Sequence, residues 1–301
     1  MNDEKRVLTL QSEVGGISNV LLKHAKEAFI DGKKIELEWG ELNYSSAPDF
    51  SQAVDEYDHF AELFASAGIK TSFLVENEAT TLDSIYVRDA SVLCDKGAIL
   101  CSMGKKARIK EPEALKPAYI EAGIPIVGAI TGGGLLEGGD VVWIDERTLI
   151  VGQGYRTNAD GIHQLKRMVG DCADEIIVAQ LPHWRGPMDV FHLMSILSPV
   201  DVHKALVYAP LLPAVLYQLL LDKGFTLIEV PEEEFDNMAC NVLALSPGKC
   251  LMLSGNPKTR GLLEKAGISV IEYGGFEISR KGAGGPTCLT RPTYRASIRT
   301  P

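Results

Sequence analysis

One thiol, one imidazole, three carboxylates and one carboxamide recur at a regular interval along this 301-residue chain. The anchors are Asp89 in YVRD, Asp140 in LEGGD, His192 in FHLMS, Asn241 in ACNVL and Cys288 in GGPTC, each about 50 residues from the next. Glu137 shares its glycine-rich segment with Asp140. A thiol can attack an electrophilic carbon, and an imidazole can protonate a departing amine and then take a proton from water. Carboxylates on glycine-rich backbone can grip a cationic, multi-donor group. Side chains this far apart in sequence meet only if the fold brings the repeats to one centre.

Each residue also has a plainer reading. Cys288 could be a buried structural thiol, the usual fate of cysteine. Its setting in GAGGPTCLTRP, where glycines let backbone approach closely at a loop-to-strand junction, equally suits a nucleophile. Cys94, Cys101, Cys172, Cys240 and Cys250 lie in or beside apolar runs and read as core thiols. His192 could be satisfied by a local hydrogen bond, and only its register with Cys288 argues for more. The other five histidines carry no such register. The stretch GGGLLEGGD meets neither phosphate-loop nor dinucleotide-loop spacing.

The elements that must position these residues follow one plan. After each of the first four anchors come two apolar runs around a short polar turn, then a helical stretch and a further strand. The expected strand pairs are 85–94 with 97–102, 141–144 with 148–151, 192–198 with 204–208, and 241–246 with 249–253. The helices that follow cover 110–122, 158–170, 213–223 and 257–266. A fifth unit is split: Thr287–Arg291 lies at one end, while strand Ser18–Ala25, helix Asp49–Ala67 and strand Lys70–Val75 lie at the other. Residues 31–48 read as irregular. Gly68, Gly123, Gly224 and Gly267 stand where helices should stop. One β-β-α-β unit cannot bury its apolar face alone, so five should close around an axis into a single α/β domain over residues 1–301. An open α/β sheet with fortuitous spacing is the competing architecture.

Bulk properties agree with an ordinary enzyme. Apolar residues make up 46% and charged residues 23%, and a net charge of −10 without a basic block speaks against nucleic acid or an anionic membrane as partner. The polar start MNDEKRVLTL does not read as a secretory signal, and no apolar run reaches membrane-span length. Six cysteines without paired spacing suggest reduced thiols and a cytoplasmic protein. No metal-ligand motif is present, so neither metal nor cofactor is expected.

The ordered set YVRDAS, LEGGDVV, GQGYRTN, FHLMS and GGPTCLTRP resembles the amidinotransferase and guanidino-group hydrolase (pentein) superfamily, over residues Val14 to about Pro292. The resemblance implies a five-bladed α/β propeller. It implies Cys288 as nucleophile, His192 as general acid and base, and Glu137 as the carboxylate that orients a guanidinium. It further implies that Asp89 hydrogen-bonds guanidinium nitrogens, while Arg108 and Arg156 hold a substrate α-carboxylate. Asp140 and Asn241, at matching points of their units, and Met194, two residues after His192, are expected to face the substrate.

Two departures bear on the substrate. Met194 stands where arginine deiminases and amidinotransferases carry an aspartate, which favours a dimethylarginine dimethylaminohydrolase-like reaction. Against that, those hydrolases carry a Glu-Asp pair where this chain has Arg88-Asp89. Arginine deimination, amidino transfer and a non-catalytic ligand-binding propeller are the alternatives. The expected partner is a small guanidino compound, arginine or N-methylated arginine, with a homodimer as the assembly. Trp39–Asp49 is the segment expected to cover the site.

Overall fold

The computed structural model describes residues 7–189 and 191–298. The first six residues of the polar start MNDEKRVLTL therefore lie outside the described residues. Among the described residues the strands form five separate sheets. Four share one pattern, an antiparallel pair followed by a helix and a third strand parallel to the second.

The first unit pairs Ser91–Cys94 with Gly97–Leu100, then crosses by helix Glu111–Glu121 to Ile126–Ala129. The second uses Val141–Trp143, Thr148–Gln153, helix Ala159–Val169 and Glu175–Gln180. Leu197–Asp201, Lys204–Val207, helix Ala214–Asp222 and Thr226–Glu229 form the third. The fourth is Leu243–Ser246, Lys249–Leu253, helix Pro257–Lys265 and Ser269–Tyr273. The fifth joins both ends of the chain, because Thr290–Ala296 pairs antiparallel with Ile17–Leu22 and Lys70–Phe73 lies parallel to Ile17–Leu22. A short strand, Leu8–Thr9, extends this sheet from the other side of Thr290–Ala296.

The periodicity explains these elements. Helix Phe50–Ser66 buries Ala53, Tyr57, Phe60 and Phe64 on one face, and the Asp49 side chain accepts from the Gln52 N–H at its start. The first two strands of a unit are covered on both faces, as in Ser91–Cys94 and Gly97–Leu100, so they read as continuous apolar runs. Third strands such as Lys70–Phe73 are largely exposed. Gly68, Gly123, Gly224 and Gly267 all take positive φ, between 70° and 82°, where each terminates its helix.

Three expected boundaries are corrected. The run 85–94 is strand only from Ser91, because Leu82–Ile85 is a 3-10 turn and the chain then bends to Asp89. Likewise 192–198 is strand only from Leu197, since Leu193–Ser195 is a 3-10 turn capped by His192. The C-terminal strand begins at Thr290 rather than Thr287. In each case irregular buried backbone carries apolar side chains, and composition alone cannot separate it from a strand. The segment 31–48 is not wholly irregular either. Asp31 caps helix Gly32–Glu38, which Lys34 and Glu38 brace with a 2.6 Å ion pair.

All five anchors precede the first strand of their units, so they gather at one end of the molecule. The turn glycines make a stability test. Gly97 has φ +133° and an added Cβ would run into the Pro125 carbonyl, whereas Gly123 has φ +70° and open space around it. Gly123→Ala should cost about 1 kcal/mol. Gly97→Ala should cost about 2 to 3 kcal/mol in urea unfolding, and equal losses would refute this account of the hairpin.

Candidate active site

Cys288 is held by two neighbouring units at once. The Asn241 Nδ2 amide donates to Cys288 Sγ at 3.2 Å, and Asn241 Oδ1 accepts the Thr287 N–H at 3.0 Å. From the other side, the Arg88 N–H donates to the Cys288 carbonyl. Gly285 is required by close approach, because a Cβ there would lie 2.5 Å from Asn241 Oδ1. Cys288 is the one partly exposed cysteine, and the other five are buried as expected. Asn241 thus faces the thiol and contributes to its placement.

His192 is fixed at both of its ends. Its N–H donates to Ser195 Oγ at 3.1 Å, and the Asp140 carboxylate accepts the next N–H, that of Leu193, at 2.9 Å. Its Nε2 lies 2.7 Å from Glu137 Oε2, and its Nδ1 lies 3.9 Å from Asp89 Oδ1. A Cβ on Gly139 would sit 2.7 Å from both Asp89 Oδ1 and His192 Nδ1, so that position admits only glycine.

This packing sets the charge states. Burial works against a charged imidazole, but Asp89, Asp140 and Glu137 outweigh it and raise His192 to about 9. Burial likewise opposes the Glu137 charge, yet the hydrogen bond and charge of His192 hold it well below the usual carboxylate range. Burial and the Asp89 charge push the Cys288 thiol up to about 11, despite the Asn241 hydrogen bond. At neutral pH the free site therefore holds an imidazolium beside a thiol.

Two chambers meet at Cys288 and His192. The outer, about 120 Å³, is mixed: Trp184, Phe191, Met194, Phe235 and Met238 form an apolar wall, and Arg88, Arg185, Asp189 and Asp236 line it as well. The inner, about 20 Å³, is lined by Asp89 with Asp83, Lys105, Arg108 and Arg156. Met194 thus takes the apolar side, as its type suggests.

Two residues expected at the substrate stand behind it. Asp140 is fully buried and lines neither chamber, and its carboxylate holds the backbone N–H of Leu193 next to His192. Glu137 is also fully buried, and its oxygens accept from His192, Gly104 N–H, Lys105 N–H and, more loosely, Arg156. Its immediate partner in this geometry is His192.

The arginines divide. Arg108 spends its fork on Asp89 Oδ2 at 2.6 Å, both oxygens of Glu111 and the Tyr86 carbonyl. Arg156 makes contacts of only 3.3 to 3.4 Å, to Glu137 and the Asp189 carbonyl, and keeps donors to spare. Asp89 Oδ1 accepts no hydrogen bond.

Sequence reasoning missed Lys105, which pairs with Asp83 at 2.6 Å and donates to the Leu42 carbonyl. It also missed Glu111, which starts the helix three residues after Arg108, and the aromatic wall around Met194. The KKARIKE spacing could have revealed the Arg108–Glu111 pair; nothing in sequence marks Trp184 or Phe235. No residue of 39–49 lines either chamber, although the Leu42 carbonyl accepts from Lys105 and the Ser45 N–H donates to the Lys281 carbonyl. Among the described residues, Asp89, Glu137 and His192 bring ligand atoms within 4.8 Å of one another, close enough for a metal ion. With His192 protonated and paired to Glu137, the same trio suits an organic cation better.

A family profile described as N,N dimethylarginine dimethylhydrolase, eukaryotic, matches residues 40–295. An uncharacterized Aeropyrum pernix protein is 30% identical over 257 residues, covering 83% of this chain and 88% of that one. The N(G),N(G)-dimethylarginine dimethylaminohydrolase of Streptomyces coelicolor is 28% identical over 246 residues, covering 80% and 86%. Among solved structures, DDAH from Pseudomonas aeruginosa, a cysteine-to-serine mutant complexed with citrulline, superposes with a TM-score of 0.75. It is 22% identical, covering 91% of this chain and 98% of that one. The amidinotransferase SxtG of Microseira wollei gives a TM-score of 0.74 at 16% identity, covering 97% and 98%.

The thiol should behave accordingly. Alkylation of Cys288 by iodoacetamide, corrected with Cys288→Ser, should climb from pH 7 toward about 11 without levelling earlier. Asn241→Ala should move that rise to higher pH. A plateau by pH 8 would contradict the thiol assignment.

Proposed function

The chain belongs to the N,N-dimethylarginine dimethylhydrolase family of guanidino-group hydrolases, and from that premise we propose that it cleaves an N-substituted arginine to citrulline and an amine through a covalent cysteine intermediate. The observation that carries this reading is the meeting at Cys288 and His192 of a charged inner chamber and an outer one that has an apolar wall at Met194. In the same reading the five sheets close around one axis as a five-bladed propeller.

The guanidinium lies at the junction, with Asp89 Oδ1 accepting its N–H groups. Its charge adds to that of the His192 imidazolium, so the thiol gives up its proton to solvent and the thiolate forms when substrate is present. Sγ attacks the central carbon, already aligned by the ion pair, which removes several kcal/mol of orientation cost. The tetrahedral adduct collapses as the imidazolium of His192 protonates the leaving amine, giving a thiouronium. Neutral His192 then takes a proton from water, which attacks the same carbon and releases the urea product. Glu137 holds the imidazole ring in line through both steps, and Asp140 holds its backbone.

Arg156 and Lys105 are the groups suited to the amino-acid end of the substrate. The inner chamber, about 20 Å³, is too small for that end as it stands, so its wall must yield. Leu42 and Ser45 line neither chamber but are bonded to Lys105 and Lys281, which assigns 39–49 a part in admission. The apolar wall of the outer chamber, around Met194, takes the N-alkyl group. An aspartate in place of Met194 would instead pair with an unsubstituted nitrogen, as arginine itself presents.

The test is citrulline formation from asymmetric dimethylarginine and from arginine, offered separately, with dimethylamine and ammonia quantified. Dimethylamine release with a preference for the methylated substrate is expected; ammonia from arginine alone would make the protein a deiminase. Cys288→Ser should lower turnover by at least about a thousandfold while leaving binding nearly intact. Met194→Asp should shift the preference toward arginine.

A further inference from the structure

A second concentration of charge lies on the far side of Arg88 from the thiol. Arg88, Arg291 and Arg295 line one small cavity, and each is at least 95% buried. Glu13, which pairs with Arg88 Nη2 at 2.5 Å, is the one carboxylate on its walls. Three guanidinium charges against one carboxylate leave an excess of two positive charges in a nearly dry place.

Backbone carbonyls take part of the donor load. Arg291 Nη2 donates to the carbonyls of Arg88 and Ser91, and Arg295 Nη1 donates to those of Gly15 and Ala244. The remainder is unmet. Ten buried side-chain nitrogens and oxygens lack a partner among the described residues, and four of them are Arg88 Nε, Arg291 Nε, Arg295 Nε and Arg295 Nη2. The deficit is therefore concentrated in this cluster and is entirely one of acceptors. Burial and the repulsion from Arg88 bring Arg291 down to about 10, and Arg295, buried likewise, falls to about 10 as well.

We propose that this cavity binds a halide-sized monovalent anion, chloride in solution, held by Arg88, Arg291 and Arg295. The cavity, about 20 Å³, has room for one small occupant. A spherical anion accepts several N–H groups at once and carries no proton that would need an acceptor. It also neutralises part of a charge that would otherwise destabilise the folded state. Arg88 lines both this cavity and the outer chamber, and its backbone is tied to Cys288. The anion thus sits under the catalytic centre without touching it.

The experiment uses the full chain. Thermal unfolding is followed while sodium gluconate is replaced by sodium chloride or bromide at constant ionic strength. The folded state should gain a saturable rise in Tm on the order of 3 °C. Glu13→Gln, which removes the competing negative charge, should bring saturation at several-fold lower halide. Arg295→Gln should abolish the rise. Crystals grown in bromide provide the measurement that does not depend on a variant folding, and an anomalous peak among the three guanidinium groups is expected. No halide-specific change in Tm, or water density in the bromide crystals, would overturn the proposal.

Discussion

A carboxylate and an imidazolium 2.7 Å apart, both shut away from solvent, set the conditions under which the rest of this molecule works. Neither ion could be buried alone, since each would lose several kcal/mol of hydration. Together they fix a proton on His192, and in the proposed reaction that proton goes to the leaving amine. The scaffold is arranged around keeping the pair together. Backbone N–H groups of Gly104 and Lys105 converge on Glu137, Asp140 holds the chain beside His192, and Gly139 leaves the room in which Asp89 and His192 approach.

The same economy of buried charge explains the division between what touches the substrate and what stands behind it. Asp89 has one oxygen committed to Arg108 and one left open toward the site. Arg108 in turn is anchored by Glu111, so the committed oxygen cannot swing away. A carboxylate held in this way presents a fixed acceptor to an incoming cation, with little reorganisation at the moment of reaction.

Much of this was legible in the sequence, for identifiable reasons. Continuous apolar runs such as Ala205–Val207 occur because those strands are buried on both faces, and the glycines at 68, 123, 224 and 267 mark helix ends because only they take positive φ cheaply. The repeat brought Asp89, His192, Asn241 and Cys288 to one place. What the repeat could not convey is depth. Asp140 is an anchor of its unit and Met194 lies two residues after one, yet the first supports backbone and the second faces a cavity. The turns at 82–85 and 193–195 were hidden because their residues are as apolar as strand residues. Arg291 is a further case, since its fork caps the Arg88 and Ser91 carbonyls, a tertiary role with no local signature.

The fifth sheet joins Thr290–Ala296 to Ile17–Leu22, across nearly the whole length of the chain. On the ribosome this means that Ile17–Leu22 emerges early and waits for its neighbour until four complete units have followed. Throughout that interval an apolar strand keeps an open edge, the kind of surface that invites mispairing with other chains. The same delay keeps the reactive thiol away from its histidine until the sheet closes. The site is therefore complete only when the two ends of the fold have found each other.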